Sequence, residues 1–225
     1  MHPDKKNSLV KLKGKKVLVT AGPTYEKIDP VRFIGNFSTG KMGYAIANLL
    51  HENGAEVTLI SGPTHLTPAH SLKEYIRVLS AKEMYNSCIE LFPASDMAIL
   101  NAAVADYRPA FLQDQKIKST EGKLSLELEK TEDIARELGQ MKKPDQKIVG
   151  FALETDNEME NARKKMQDKN LDFIVLNSLQ DEGAGFGHDT NKITVIGADN
   201  KIHKFGLKMK EEVAFDILRV ISEKL

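Results

Sequence analysis

The sequence predicts an α/β chain with three layers, helices covering both faces of a mostly parallel sheet, plus one long loop and one small β-hairpin. Three observations carry that prediction. Short β-branched runs alternate with longer amphipathic segments, the pattern of strands joined by crossover helices. A stretch rich in glycine and hydroxyl residues separates the first strand from the first helix. Near the C-terminus, two strand signals are joined by only Gly197-Ala-Asp-Asn200, which suits a hairpin.

Residues 1–14 are polar and lysine-rich and end in Lys13-Gly14, so they read as a linker or arm, leaving 15–225 as one domain. Residues 17–20 form the first strand. Residues 41–53 put Ile46, Leu49 and Leu50 on one helical stripe closed by Gly54. Strands follow at 56–60 and 75–79, then a helix at 81–91. The near-continuous apolar run 96–104 reads as a central strand buried on both faces. From 107 to 122 no period holds, which predicts a long mobile loop. Leu124, Leu126 and Leu128 alternate with polar residues as a half-exposed strand should. A helix at 131–141 takes Thr131 as its N-cap. A strand at 148–153, a charged helix at 158–170 and a strand at 173–176 come next. Strands 192–196 and 201–205 make the hairpin, and 209–225 is a closing amphipathic helix. In such sheets ligands gather beyond the carboxyl ends of the strands, so 22–24, 101–106 and 151–154 should converge.

Lys+Arg and Asp+Glu both number 32, giving a formal charge of zero over 225 residues. Nucleic acid and anionic membrane are therefore not expected as partners. A hydrophobic content of 41% with 28% charged residues suits a soluble globular domain with a full core. No apolar run reaches the ~18 residues of a membrane span, and the first residues lack the apolar core of a signal peptide. The single Cys88 excludes an intramolecular disulfide and reads as a small buried hydrophobe, with a reducing cytoplasm as the expected setting. The histidines lack H-x-x-x-H spacing and a cysteine partner, so zinc is not expected. No G-x-S-x-G or G-x-G-x-x-G motif is present, which weakens hydrolase and dehydrogenase readings.

The chemistry concentrates in Asp29-Pro-Val-Arg-Phe-Ile-Gly-Asn-Phe-Ser-Thr-Gly-Lys-Met-Gly43. Ser38, Thr39, Gly40 and Lys41 stand ahead of a helix start, where backbone N–H groups favour phosphate and glycine lets it approach. Gly35 to Lys41 also fits G-x-x-x-x-G-K. Met42, however, stands where a P-loop needs a magnesium-binding hydroxyl, and the strand ends about fifteen residues too early. A phosphate loop of another kind is expected.

Six blocks carry a resemblance: Gly22-Pro-Thr24, Asp29-Pro-Val-Arg-Phe-Ile34, Asn36-Phe-Ser-Thr-Gly-Lys-Met-Gly43, Ala102-Ala-Val-Ala-Asp-Tyr-Arg108, Lys116-Ile-Lys118 and Val149-Gly-Phe-Ala152. In this order they closely resemble the motifs of phosphopantothenoylcysteine synthetases of the bacterial type, over residues 16 to about 195. The resemblance implies a Rossmann-like three-layer αβα fold and a ligase of coenzyme A biosynthesis. Such a ligase joins 4′-phosphopantothenate to L-cysteine using CTP. The pantothenate carboxylate attacks the α-phosphate, pyrophosphate leaves, and the cysteine amine displaces CMP from the acyl-cytidylate. Also implied are Mg2+ and a homodimer with its active site near the subunit interface. In many bacteria this family is the C-terminal half of a bifunctional protein with a flavin-dependent decarboxylase. That decarboxylase, fused or separate, is an implied partner; no decarboxylase half and no flavin are expected in this domain.

By the same resemblance, Asn36 contacts the reacting carboxylate and acyl-phosphate, Arg32 holds an acidic part of substrate or intermediate, and Lys116 opens a flap that closes over the triphosphate. Alone, these residues would read as a turn Asn, a surface ion pair and a solvated loop lysine. Ser119 stands where the family has a last flap lysine, leaving one positive charge fewer. Gly22, Pro23 and Thr24 fall with Ser38, Thr39, Gly40 and Lys41 in the nucleotide site. Ala102 and Ala103 would let backbone groups read the base edge, Asp106 would bind magnesium or the nucleotide, and Tyr107 would sit beside base or ribose. Asp133 and Ile134 match a nucleotide-contacting block, although Thr131-Glu132 replaces its Asn-Pro. Phe151 would pack on the nucleoside. Lys165 and Lys169, one helical step of four apart, would meet the triphosphate. A non-catalytic nucleotide- or phosphate-binding module on the same fold is the alternative function. A nicotinamide oxidoreductase is a third, set back by the missing dinucleotide fingerprint.

Overall fold

A computed structural model describes residues 9–118, 123–154, 156–178 and 187–225. The elements, in order, are β1 (Lys16–Ala21), β2 (Tyr25–Lys27), β3 (Phe33–Gly35), α1 (Lys41–Glu52), β4 (Glu56–Ser61), β5 (Glu74–Arg77), α2 (Ala81–Leu91), β6 (Met97–Leu100), β7 (Tyr107–Pro109) and β8 (Leu128–Lys130). They continue as α3 (Ile134–Met141), β9 (Lys147–Glu154), α4 (Glu158–Asp168), β10 (Phe173–Ser178), β11 (Thr190–Gly197), β12 (Ile202–Met209) and α5 (Lys210–Ser222).

Eight strands form one sheet in the order β12-β11-β10-β9-β6-β1-β4-β5. From β10 to β5 every neighbouring pair is parallel, while β11 and β12 add an antiparallel hairpin at one edge. The parallel part has the doubly wound order with β1 and β6 at its centre, where the chain reverses its direction of winding. Apolar side chains alternate across these strands, so both faces need cover. On one face α1 and α5 bury Ile46, Leu50, Val213 and Ile217 against Val17, Val19, Leu59 and Ile99. On the other, α2, α3 and α4 bury Met84, Cys88, Leu138 and Met166 against Leu18, Ala98 and Ile148. Burial pushes the Cys88 thiol up to about 12, consistent with an inert core position.

Gly43 shows how closely α1 lies on the sheet. A Cβ there would stand 2.6 Å from the Cβ of Ala21 on β1, so only glycine permits the approach.

Several expected boundaries move. The core extends into the expected arm, because Leu9 and Leu12 are both buried in it, and residues 1–8 lie outside the described residues. The strand expected at 96–104 ends at Leu100, since the chain must leave the sheet there to form the cleft wall. The irregular span 107–122 contains β7, which pairs antiparallel with β8; the half-exposed strand expected at 124–128 is displaced to Leu128–Lys130. Asp133, not Thr131, caps α3: its carboxylate accepts from the Arg136 N–H, while the Thr131 hydroxyl donates to the Ala105 carbonyl at 2.6 Å. The hairpin β2–β3 was not expected from sequence at all.

Candidate active site

Where β1 and β6 lie side by side their following connections diverge, and a crevice opens beyond Ala21 and Leu100. The cleft measures about 750 Å³, within the usual range for small-molecule sites. Its walls come from the β3–α1 loop, the segment after β6, the entry to α3, the end of β9 and the inner side of α4. All three strand ends that were expected to converge supply residues to it or brace it.

The wall after β6 is held rigidly. Ala102 N–H donates to Thr20 Oγ1 at 3.1 Å, Ala103 N–H to the Gly22 carbonyl at 2.9 Å, and Ala105 N–H to Thr24 Oγ1 at 2.9 Å. Ala102 and Ala103 line the cleft, but their N–H groups are already used within the chain. Gly22, Pro23 and Thr24 stand behind this wall and brace it instead of lining the cleft as expected. Gly22 adopts φ +77°, and a Cβ on it would meet the Gly62 carbonyl oxygen at 3.1 Å.

Asn36 reaches across to the same wall. Its Nδ2 donates to the carbonyls of Ala103 and Val104 at 3.0 and 3.2 Å. Both amide hydrogens are thus oriented, and the side chain is tied to the cleft floor. Beside it, α1 begins at Gly40 in left-handed conformation with no side-chain cap. Its first N–H groups lack intrahelical acceptors, which with Ser38, Thr39 and Lys41 makes an anion site. Lys41, which lines the cleft, pairs with Asp189 outside the lining.

The opposite wall is cationic. Lys165 Nζ donates to the Phe151 carbonyl at 2.8 Å. Burial, followed by the charge of nearby Lys169, draws the Lys165 ammonium below the ordinary lysine value, against the pull of Glu154, Asp106 and Asp133. Lys169 pairs with Asp133 at 2.9 Å. Burial would raise the Asp133 carboxyl, but Lys169 and the Arg136 N–H hold it below the ordinary carboxylate value. Asp106 and Tyr107 are exposed at the rim, and Ile134 and Phe151 supply apolar surface.

Two expected residues lie apart. Arg32 does not line the cleft; its guanidinium binds the buried Asp29 carboxylate and the Ile117 carbonyl. Lys116 is exposed on the neighbouring segment and likewise contributes no cleft surface. Ser119 lies outside the described residues. The sequence reading placed Asn101 at a converging strand end without giving it a role and missed Asn177, Asn191, Glu132 and Lys210; all five line the cleft. Asn177 follows the strand-end rule, so it was findable; Asn191 and Lys210 arrive from an antiparallel strand and a helix start that the rule does not cover.

The sequence matches the family described as "DNA/pantothenate metabolism flavoprotein C-terminal domain" over residues 12–225. The chain belongs to this family. A relative from an unknown prokaryotic organism, named cysteine/cysteine sulfinic acid decarboxylase, is 55% identical over 93% of this chain and 58% of its own length. The coenzyme A biosynthesis bifunctional protein CoaBC of Bacillus subtilis (strain 168) is 48% identical over 94% of this chain and 52% of its own. The chain therefore spans a little over half the length of these curated relatives. Among solved family structures, the C-terminal domain of CoaBC superposes with a TM-score of 0.81 at 43% identity, covering 95% of this chain and 97% of that one.

Proposed function

We propose that this domain ligates 4′-phosphopantothenate and L-cysteine through an acyl-cytidylate made from CTP, in coenzyme A biosynthesis in the cytoplasm. The observation that carries the reading is Asn36, fixed by two carbonyls at the cleft floor beside an uncapped helix N-terminus. An anion bound at Ser38–Lys41 would lie next to an amide that, on releasing one of those carbonyls, can donate to a carboxylate without adding charge. The likeness to a CoaBC C-terminal domain at 43% identity supports the same step. The decarboxylase name belongs to a relative of which this chain covers 58%, and a decarboxylase, fused or separate, is the proposed partner.

In this reading the triphosphate lies between the α1 N-terminus and the Lys165–Lys169 wall. Opposed positive groups neutralise charge growing on the α-phosphate as the pantothenate carboxylate attacks, and pyrophosphate leaves. Asn36 orients that carboxylate and then the acyl-phosphate. The cysteine amine next attacks the acyl carbon, and CMP departs. The cleft keeps water from the mixed anhydride. In this reading the exposed Lys116 side chain turns inward to the phosphates about the held backbone of Ile117.

Among the described residues no cluster of three or more metal-binding side chains occurs. Magnesium would be carried mainly by phosphates and water, with Asp106 at the rim as its proposed protein ligand. Bound there, the ion would screen the triphosphate and stabilise the leaving pyrophosphate.

A homodimer is supported by exposed apolar side chains on two touching hairpins. Phe33 and Phe37 (91% exposed) accompany the β2–β3 hairpin, and Phe111, Leu124 and Leu128 accompany β7–β8. So much clustered apolar surface is unusual on a monomer.

The test is pyrophosphate release with CTP, ATP, UTP and GTP in turn, with and without 4′-phosphopantothenate. Release that needs both CTP and the acid is the expected result. Nucleotide binding without release would leave a binding module.

A further inference from the structure

The Asp29 side chain is fully buried and receives five hydrogen bonds. Its Oδ1 accepts from the N–H groups of Val31 and Arg32 at 2.8 and 2.9 Å. Its Oδ2 accepts from Arg32 Nε at 2.9 Å, from Arg32 Nη2 at 2.5 Å, and from the Ile117 N–H at 3.1 Å. Arg32 Nη2 also donates to the Ile117 carbonyl at 2.6 Å, so both backbone groups of Ile117 are held by this one ion pair. Four residues earlier, the Gln113 N–H donates to the Ile28 carbonyl at 3.1 Å. The segment 113–117 is thus laid along the turn 28–32 and pinned at both ends.

That turn is the tip of the β2–β3 hairpin, and β3 ends one residue before Asn36. One short, rigid unit therefore carries Asn36 at one end and grips the neighbour of Lys116 at the other. Five donors and no acceptor surround the Asp29 carboxylate, so only an acceptor-only group serves there; an amide would set its own N–H against one of them. Burial alone would raise the Asp29 carboxyl, but these donors hold it well below the usual carboxylate range.

The geometry points to Asp29 as a positioning residue that, through Arg32 and Ile117, holds the Lys116 segment in fixed relation to Asn36. The consequence for turnover rests on the ligase reading above; the clamp itself does not.

The experiment uses the full chain and two readouts. Trypsin cuts the Lys116–Ile117 bond, which the clamp protects. Asp29→Asn is expected to speed that cut at least tenfold in the ligand-free protein, with tryptic sites outside 28–32 and 113–118 unchanged. In turnover, Asp29→Asn is expected to lower kcat for pyrophosphate release at least tenfold while KM for CTP changes less than threefold. Lys116→Gln should add little in that background, as residues of one unit do. If Asp29→Asn does not fold, Ile117→Pro removes the Ile117 N–H but leaves the Asp29–Arg32 pair, and the same kcat loss is expected. Unaltered cleavage in Asp29→Asn, or an unaltered kcat in a folded Ile117→Pro, would overturn the proposal. Wild-type protein that releases no pyrophosphate would instead refute the ligase reading, and the cleavage comparison would still decide the clamp.

Discussion

Lys165 on α4 donates through Nζ to the main-chain carbonyl of Phe151 on β9 at 2.8 Å. The bond ties the helix covering the cleft to the strand beneath it, and it brings a partly desolvated ammonium to the cleft wall. Its acid dissociation is drawn below the ordinary lysine value by burial first and Lys169 second. Cation strength at this position is therefore lost at lower pH than at an exposed lysine.

The sign of the resulting pH effect is fixed. As pH rises through the lowered Lys165 value, the group loses its proton and the triphosphate loses a counter-charge, so KM for CTP should rise. Lys165→Arg should move that alkaline limb upward, because guanidinium stays charged. Lys165→Met should remove the limb and leave KM high throughout. Initial rates from neutral to alkaline pH check this.

Asn36→Asp should slow pyrophosphate release about 10²-fold or more, the scale seen when one positioned donor is lost. A carboxylate cannot donate to the carbonyls of Ala103 and Val104, and it would repel the reacting acid. Calorimetric titration should find CTP affinity within about threefold of wild type, since uniform binding is not what the amide supplies.

Asp133→Ala removes an N-cap and the partner of Lys169. The cap alone predicts a loss of about 1 kcal/mol, with the partly exposed ion pair adding little. The folded Asp133 value is depressed, so this stability is present above the ordinary carboxylate value of ~3.9 and fades as pH falls through the folded one. Urea unfolding should give a clear difference between variant and wild type at pH 7 and a much smaller one well below pH 3.9.

Gly43→Ala sets two effects against each other. Helix propensity favours alanine by about 1 kcal/mol, but overpacking costs about 1–3 kcal/mol, and the new Cβ would sit 2.6 Å from that of Ala21. Overpacking should win, because the obstacle is a neighbouring strand. Thermal melting should fall by a few degrees.

The sheet and its helices were legible because long periodic segments such as Lys41–Glu52 and Lys147–Glu154 leave strong apolar patterns. The β2–β3 hairpin was not, since strands of three residues are too short to show alternation. Thr131 and Asp133 are both good caps two residues apart. The sequence offered no way to see that the Thr131 hydroxyl is taken by Ala105. Leu9 and Leu12 were hidden among lysines. At the site, Asn36, the Ser38–Lys41 loop, Lys165 and Lys169 were placed by motif and do line one cleft. Arg32 was assigned to substrate, yet it faces Asp29, a long-range arrangement with Ile117 that no local pattern encodes.

The most direct measurement is a rapid-quench experiment on the wild-type protein with radiolabelled CTP and 4′-phosphopantothenate, without cysteine. A cytidylyl ester of the acid should form at close to one per active site and convert to CMP and amide when cysteine is added. If CTP binds and no such ester appears on the turnover timescale, the proposed carboxyl activation is wrong.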